Sequence, residues 1–304
     1  MTAVRLAPEE AAFYASQSPF SDPGALAGRY AGLPADVGEL ARVVRDMTVH
    51  RLEGGLLDFD LAPDRLRNDA ETRYVDDILR LIVARDDAPL DRRRDLGDRF
   101  VGVCRDFTLL HVSMLRHAGI PARLRSGFAD YFGTDGFHHD HVVTEFWAGD
   151  RGWVLADAQL ADPDITGRFP VDFDPLDVPR DRFLVAGAAW CTIREGGADP
   201  LTFGVLPDGP LAGQWFVAGN VRLDLAALNK TETLLWDVWG AGAGDDEGMT
   251  DEIRDLYDEA ARVTCGDVPF ETARKLFTEH DGLRTPETVL CVAPFNGPSQ
   301  VTLR

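Results

Sequence analysis

Three residues near the middle of this 304-residue chain have the types that nucleophilic acyl chemistry requires. They are Cys104, then His141 37 residues on, then Asp157 16 residues after that. Cys104 follows Gly102-Val103 directly and stands at the start of a predicted helix, Asp106 to Ala118. A helix N-terminus carries partial positive charge and unpaired N–H groups, and both favour thiolate over thiol. None of the other three cysteines occupies such a place. Taken alone, Cys104 also fits a small buried side chain capping a core helix.

The elements that must position these groups can be read locally. The predicted helix has Phe107, Leu110, Met114, Leu115 and Ala118 on one face and stops at Gly119, with Pro121 just beyond. Three strand-like segments follow: Arg123 to Phe132, His141 to Ala148 and Gly152 to Ala158. Side chains alternate along a strand, so His141, Val143, Glu145 and Trp147 share one face, and Trp153, Leu155 and Asp157 share another. A tight turn centred on Gly149 makes paired positions sum to about 298, which sets His141 opposite Asp157; a slip of two leaves them diagonal. An imidazole beside a carboxylate is the arrangement that orients a catalytic base and fixes its tautomer. A plain polar cross-strand pair on an exposed face fits the same spacing.

Other polar residues nearby have competing explanations. Asp106, at the helix N-terminus, reads as a cap before it reads as chemistry. Glu145 either lines the pocket or sits in a salt-bridged sheet position. Trp147 and Trp153 flank the turn, as packing residues or as part of a substrate-binding wall. His138-His139-Asp140-His141 has the residue types of a metal site. On a strand, though, 139 and 141 point one way and 138 and 140 the other, and no second ligand pair completes the set. No metal and no cofactor are expected. His138 and His139 are read as loop residues at the mouth of the cleft.

The flanking regions frame this segment. Leu40, Val43, Val44 and Met47 form one helical stripe, and Tyr74, Ile78, Leu81 and Ile82 a second. Glu53-Gly54-Gly55 and Ala62-Pro63-Asp64 mark loops between them. After residue 160 the chain is rich in Pro and Asp. Trp190, Trp215–Val217 and Val221–Leu223 read as further strands, Ala241 to Gly248 as a loop, Thr250 to Val263 as a helix, and 267 to about 280 as another. The expected organisation is a helical N-terminal extension (1–95), a catalytic core (96–190) and a mixed strand and helix C-terminal extension (191–304).

Composition bounds the function. Lys and Arg total 31 against 51 Asp and Glu, a formal charge of −20, and 45% of residues are hydrophobic. So acidic a chain repels phosphate backbones and anionic lipid surfaces, which argues against nucleic-acid or membrane partners. No stretch approaches the roughly 18–20 consecutive apolar residues that span a bilayer. The first ten residues lack a basic segment followed by an apolar one, so a cytoplasmic location is expected. Cys104, Cys191, Cys265 and Cys291 are far apart and form no C-x-x-C pair, and they are read as thiols.

The run Gly102-Val-Cys-Arg-Asp-Phe, then Leu115-Arg-His-Ala-Gly-Ile-Pro-Ala-Arg123 and Ser126-Gly127, resembles the transglutaminase-like superfamily. So do His141-Val-Val-Thr-Glu145 and Gly152-Trp-Val-Leu-Ala-Asp157. The resemblance covers roughly residues 96–160. It implies a papain-like α+β core, in which the helix carrying the cysteine packs on an antiparallel sheet, here with helical N- and C-terminal extensions. It also implies a Cys–His–Asp triad on Cys104, His141 and Asp157. Two features depart from the family pattern: Val143 replaces an aromatic two residues after the histidine, and a side-chain oxyanion donor upstream of the cysteine is not evident. The expected function is cysteine-dependent acyl transfer through a thioester acyl-enzyme, hydrolysing an amide or peptide bond. The expected substrate is a small-molecule amide or amine, or a peptide. Glu145, Trp147, His139 and Trp153 are the expected substrate-binding residues. One alternative is an acyltransferase that forms an amide with a small amine in specialised metabolism; another is a catalytically silent member that binds a peptide or partner.

Overall fold

The computed structural model describes residues 5–242 and 244–304. In chain order the elements are α1 (Pro8–Ala15), α2 (Val37–Met47), β1 (Thr48–His50), α3 (Pro63–Asn68), α4 (Val75–Arg85), β2 (Phe100–Gly102) and α5 (Cys104–His117). Then come β3 (Ala122–Ala129), β4 (His138–Trp147), β5 (Trp153–Ala156), α6 (Pro163–Thr166), β6 (Phe183–Val185), α7 (Ala186–Arg194), β7 (Phe203–Gly204) and α8 (Gln214–Leu228). The chain closes with β8 (Asp237–Val238), α9 (Asp251–Thr264), α10 (Phe270–Glu279), β9 (Thr288–Ala293) and β10 (Gly297–Thr302). The fold is mixed α+β. Hydrogen bonding orders one sheet β5-β4-β3-β6, with the short β7 running parallel to β4. Among the described residues, no helix is long and apolar enough to cross a membrane.

The chain forms two compact units. The first comprises residues up to Leu124 and Val143–Val178; the second comprises Arg125–Val142 and Pro179–Arg304. The polypeptide therefore passes from one to the other within β3 and again within β4.

The first unit is built around α5, which is buried at every position from Cys104 to Arg116. Its polar side chains are inside because each finds a partner. Ser113 donates to Ser21 O at 2.6 Å, Arg116 Nε donates to Ala122 O at 3.0 Å, and His111 bonds Thr144 on β4 at 3.0 Å. That last bond and the apolar side chains around it seat α5 on the sheet. The first N-terminal stripe falls on α2; of the second, Ile78 and Ile82 are buried on α4, Leu81 is half-buried and Tyr74 is the residue before the helix. Leu40, Val43, Val44 and Met47 are buried, and Asp36 caps α2 by accepting the Glu39 N–H at 3.0 Å. Next to them, β1 and β2 pair in parallel, with His50 beside Gly102.

The second unit contains the first half of β4, the rest of β3, β6 and β7, the helices α7 to α10, and a three-stranded sheet of order β10-β9-β8. Its core joins Trp190 on α7, Val217, Val221 and Leu225 on α8, and Tyr257 and Ala260 on α9. The expected strands here are helices: Trp190 lies on α7, and Trp215–Val217 and Val221–Leu223 both lie on α8. Short apolar runs do not distinguish a strand from a buried helix. α8 is buried around most of its circumference, so its sequence shows no polar face and no helical period. Thr250 caps α9 as expected, accepting the Ile253 N–H at 3.3 Å. His138 and His139 are not loop residues: they open β4 and pair with Phe203 and Gly204.

Candidate active site

Cys104 is the first residue of α5 and is 5% exposed. The local sequence fixes this start. Asp106, three residues past Val103, turns back so that its Oδ2 accepts the Val103 N–H at 2.9 Å. A Cβ on Gly102 would stand 2.9 Å from that same oxygen, so the position requires glycine. Arg105 donates to the other oxygen of Asp106 at 3.0 Å. Asp106 is thus a buried cap, and burial raises its carboxyl above the usual carboxylate range against the pull of Arg105.

Arg51 is a second charged group at Cys104 that the sequence did not reveal. Its N–H donates to Gly102 O at 2.9 Å, and its guanidinium interacts electrostatically with Cys104, Asp106 and Glu71. Burial lowers the guanidinium from its ordinary value while these groups support its charge. It lies 53 residues before the cysteine, in a turn after β1, and no local pattern marks it.

Asp157, 1% exposed, follows the last residue of β5. Its N–H donates to Pro175 O at 2.7 Å and its Oδ1 accepts the Gln159 N–H at 3.0 Å. Gln159 continues inward, donating to Glu53 Oε1 at 3.2 Å, and Glu53 pairs with Arg45 at 2.7 Å. The charge of Asp157 also reaches His111. That ring bonds Thr144 and Val37 O, and burial pushes it down to about 4, so it is a neutral imidazole.

The β4–β5 hairpin corrects the expected register. Glu145 pairs with Leu155 and Trp147 with Trp153, so paired positions sum to 300 and not 298. The turn is longer than a tight one: Ala148 N–H donates to Gly152 O at 2.9 Å around a 3-10 turn at Gly149–Arg151. Extending this register places Asp157 opposite Val143, not opposite His141.

His141 lies on β4 within the second unit and is 2% exposed. Its ring meets the edges of Phe132 at 4.8 Å, Tyr131 at 6.1 Å and Phe183 at 6.3 Å. The adjacent Asp140 is pushed up to about 7 by burial; the charge of His141 and a hydrogen bond from Asn220 oppose this. His139 packs against Phe137 at 5.0 Å, and its Nδ1 lies 3.4 Å from Val205 O. His138 stacks on Phe203 at 4.4 Å. Among the described residues, no three of His, Cys, Asp and Glu group to hold a metal ion.

Glu145, Trp147 and Trp153 come together in the first unit. Arg123 donates to Glu145 at 2.7 Å, its guanidinium lies 3.9 Å from the Trp153 ring centre and 5.0 Å from that of Tyr14, and Trp147 meets Trp153 edge-on at 5.6 Å. The cation–π stack and the ion pair hold Arg123 on two sides. His139 belongs to the other unit.

The Transglutaminase-like superfamily profile matches residues 84–158, a span containing Cys104, His141 and Asp157. These residues form a transglutaminase-like superfamily domain. No curated protein matches the chain. A crystal structure from Cytophaga hutchinsonii described as a "Putative Cysteine Protease" is similar at 17% identity with a TM-score of 0.34. That likeness covers 54% of this chain and 46% of the other, so the chain spans under half the length of that protein.

Proposed function

We propose that this chain, through its transglutaminase-like domain, is a cytoplasmic cysteine-dependent acyl-transfer enzyme that hydrolyses an amide or peptide bond. The observation that carries the reading is the setting of Cys104. It begins a 14-residue helix, where the backbone presents N–H groups without intrahelical acceptors, and Arg51 adds a full positive charge. Both put positive electrostatic potential where the attacking sulfur and the developing oxyanion would stand.

In this reading His141 takes the proton from Cys104, and Sγ attacks the carbonyl carbon of the substrate. The tetrahedral oxyanion is met by the Cys104 backbone N–H. Collapse expels the amine, which receives the proton from His141, and leaves a thioester on Cys104. Water, deprotonated by His141, then attacks the thioester and releases the acid. Asp157 holds the imidazole in the productive tautomer. Trp147, Trp153 and His139 are the candidate substrate contacts, the substrate being a small amide or a peptide, while the buried Glu145 holds Arg123.

Limiting iodoacetamide across pH 5 to 9, with the labelled site read by mass spectrometry, tests the reading. The proposal expects Cys104 to label rapidly below pH 7, and His141→Ala to slow it. Labelling at the rate of an ordinary exposed thiol, unchanged by His141→Ala, overturns the activated nucleophile. With an activated thiol in hand, peptide and amide panels follow, with Cys104→Ala as the blank.

A further inference from the structure

Two cysteines separated by 74 positions meet in the second unit. α7 and α9 approach closely where Gly187 stands: a Cβ there would lie 2.4 Å from Thr264 Oγ1, 2.9 Å from Ala261 O and 3.0 Å from Cys265 N. Only a residue without a side chain allows the helices so near. Cys191 follows Gly187 by four residues and so projects from the same face of α7, one turn on. Cys265 caps the C-terminus of α9, its N–H donating to Ala261 O at 2.8 Å and its Sγ lying 3.8 Å from Arg262 O. The Cys265 sulfur lies close enough to Cys191 to act on its thiol electrostatically. Both are partly exposed, whereas Cys104 and Cys291 are buried.

We infer that Cys191 and Cys265 are an oxidation site that closes to an intramolecular disulfide when the protein meets a hydroperoxide. The order of events follows from the surroundings. Burial, the Cys265 sulfur, Glu195 and Asp258 push the Cys191 thiol up to about 11, which makes it the poorer first nucleophile. Cys265 thiolate attacks one oxygen of hydrogen peroxide, the O–O bond breaks, and the departing hydroxide takes a proton to become water. The sulfenic acid so formed on Cys265 is attacked by the Cys191 sulfur. The S–S bond forms, the S–O bond breaks, and hydroxide leaves with the Cys191 proton as a second water. Two thiols lose two hydrogens and two electrons, and the peroxide is reduced to two waters. The carboxylates of Glu195 and Asp258 disfavour anionic oxidants, so a neutral peroxide is the matched reagent. The bond ties the end of α9 to α7 and constrains the unfolded chain between them. This inference does not rest on the acyl-transfer reading.

The test uses the full chain, reduced, treated with hydrogen peroxide at pH 8, alkylated and digested without reductant. The expected result is a linked peptide pair containing Cys191 and Cys265, lighter by two hydrogens and released by dithiothreitol. Oxidised wild type should melt at a higher temperature than reduced protein, and Cys265→Ser should melt alike in both states. In Cys191→Ser, Cys265 should be trapped as sulfenic acid by dimedone. Peroxide that leaves both thiols open to alkylation overturns the inference. So does Cys265 carried to sulfinic acid with no linked peptide, or a linkage of either residue to Cys104 or Cys291.

Discussion

The Arg51 backbone N–H donates to the Gly102 carbonyl at 2.9 Å, anchoring the turn after β1 to the residue two before Cys104. Because that bond fixes the Arg51 backbone, its guanidinium stays within electrostatic reach of the thiol. Arg51→Met removes the cation and keeps most of the side-chain volume. Iodoacetamide labelling of Cys104 at pH 7 is expected to slow by up to roughly tenfold, because the positive charge that attracts electron density at the attacking sulfur is gone. Arg51→Lys should retain part of the rate. Unchanged labelling in the methionine variant would show that the helix terminus alone sets the reactivity.

His111 makes the protein sensitive to mild acid. Its ring is held neutral in the fold, with its pKa pushed down to about 4, while in the unfolded chain it titrates near ~6.5. Between those values the unfolded state binds the extra proton. The contribution is therefore present above about 6.5 and is lost as pH falls toward 4. Urea midpoints at pH 7 and pH 5 should differ in wild type, and the difference should shrink in His111→Gln.

Asp140 acts in the opposite direction. Burial pushes its carboxyl up to about 7, whereas the unfolded carboxyl titrates near ~3.9. Here the folded state keeps the proton, so the contribution is present below about 4 and is lost as pH rises through 7. Asp140→Asn removes the titration. The variant should gain stability relative to wild type on going from pH 5 to pH 8 in urea melts, and equal shifts at both pH values would refute the assignment.

Arg125 and Asp224 form a fully buried pair in the second unit. Arg125 donates to both carboxylate oxygens at 3.0 Å, and the Ser126 N–H also donates to Asp224 at 2.9 Å. Asp224→Ala leaves a guanidinium without its counter-charge in the core, and a loss of about 3–5 kcal/mol is expected. Equilibrium urea unfolding measures it. The double variant Arg125→Met, Asp224→Leu should recover much of that loss, because an apolar pair needs no charge partner.

Local rules reached part of this molecule and stopped at a definable distance. The helix after Gly102-Val103, its cap at Asp106, the hairpin between residues 141 and 157, and the stripes of α2 and α4 are all visible in the sequence. Each depends on residues within about two turns or one hairpin of each other, and periodicity and capping chemistry act over that range. α8 was hidden because burial around most of its surface erases the polar face that reveals a helix, and α7 because its short apolar run around Trp190 reads equally as a strand.

The rest belongs to packing between distant segments. The hairpin register moved by two because the chain chose a longer turn, which local turn residues permit but do not impose. Arg51 stands beside Cys104 because β1 pairs with β2, and Cys191 meets Cys265 because Gly187 lets two helices close. The Arg123 stack on Trp153 and Tyr14 likewise joins residues drawn from well-separated parts of the chain. In each case the sequence supplies the chemical groups. Their neighbours are chosen only when the buried surfaces interlock, since a contact over many residues repays its loop-closure entropy only as part of a cooperative core.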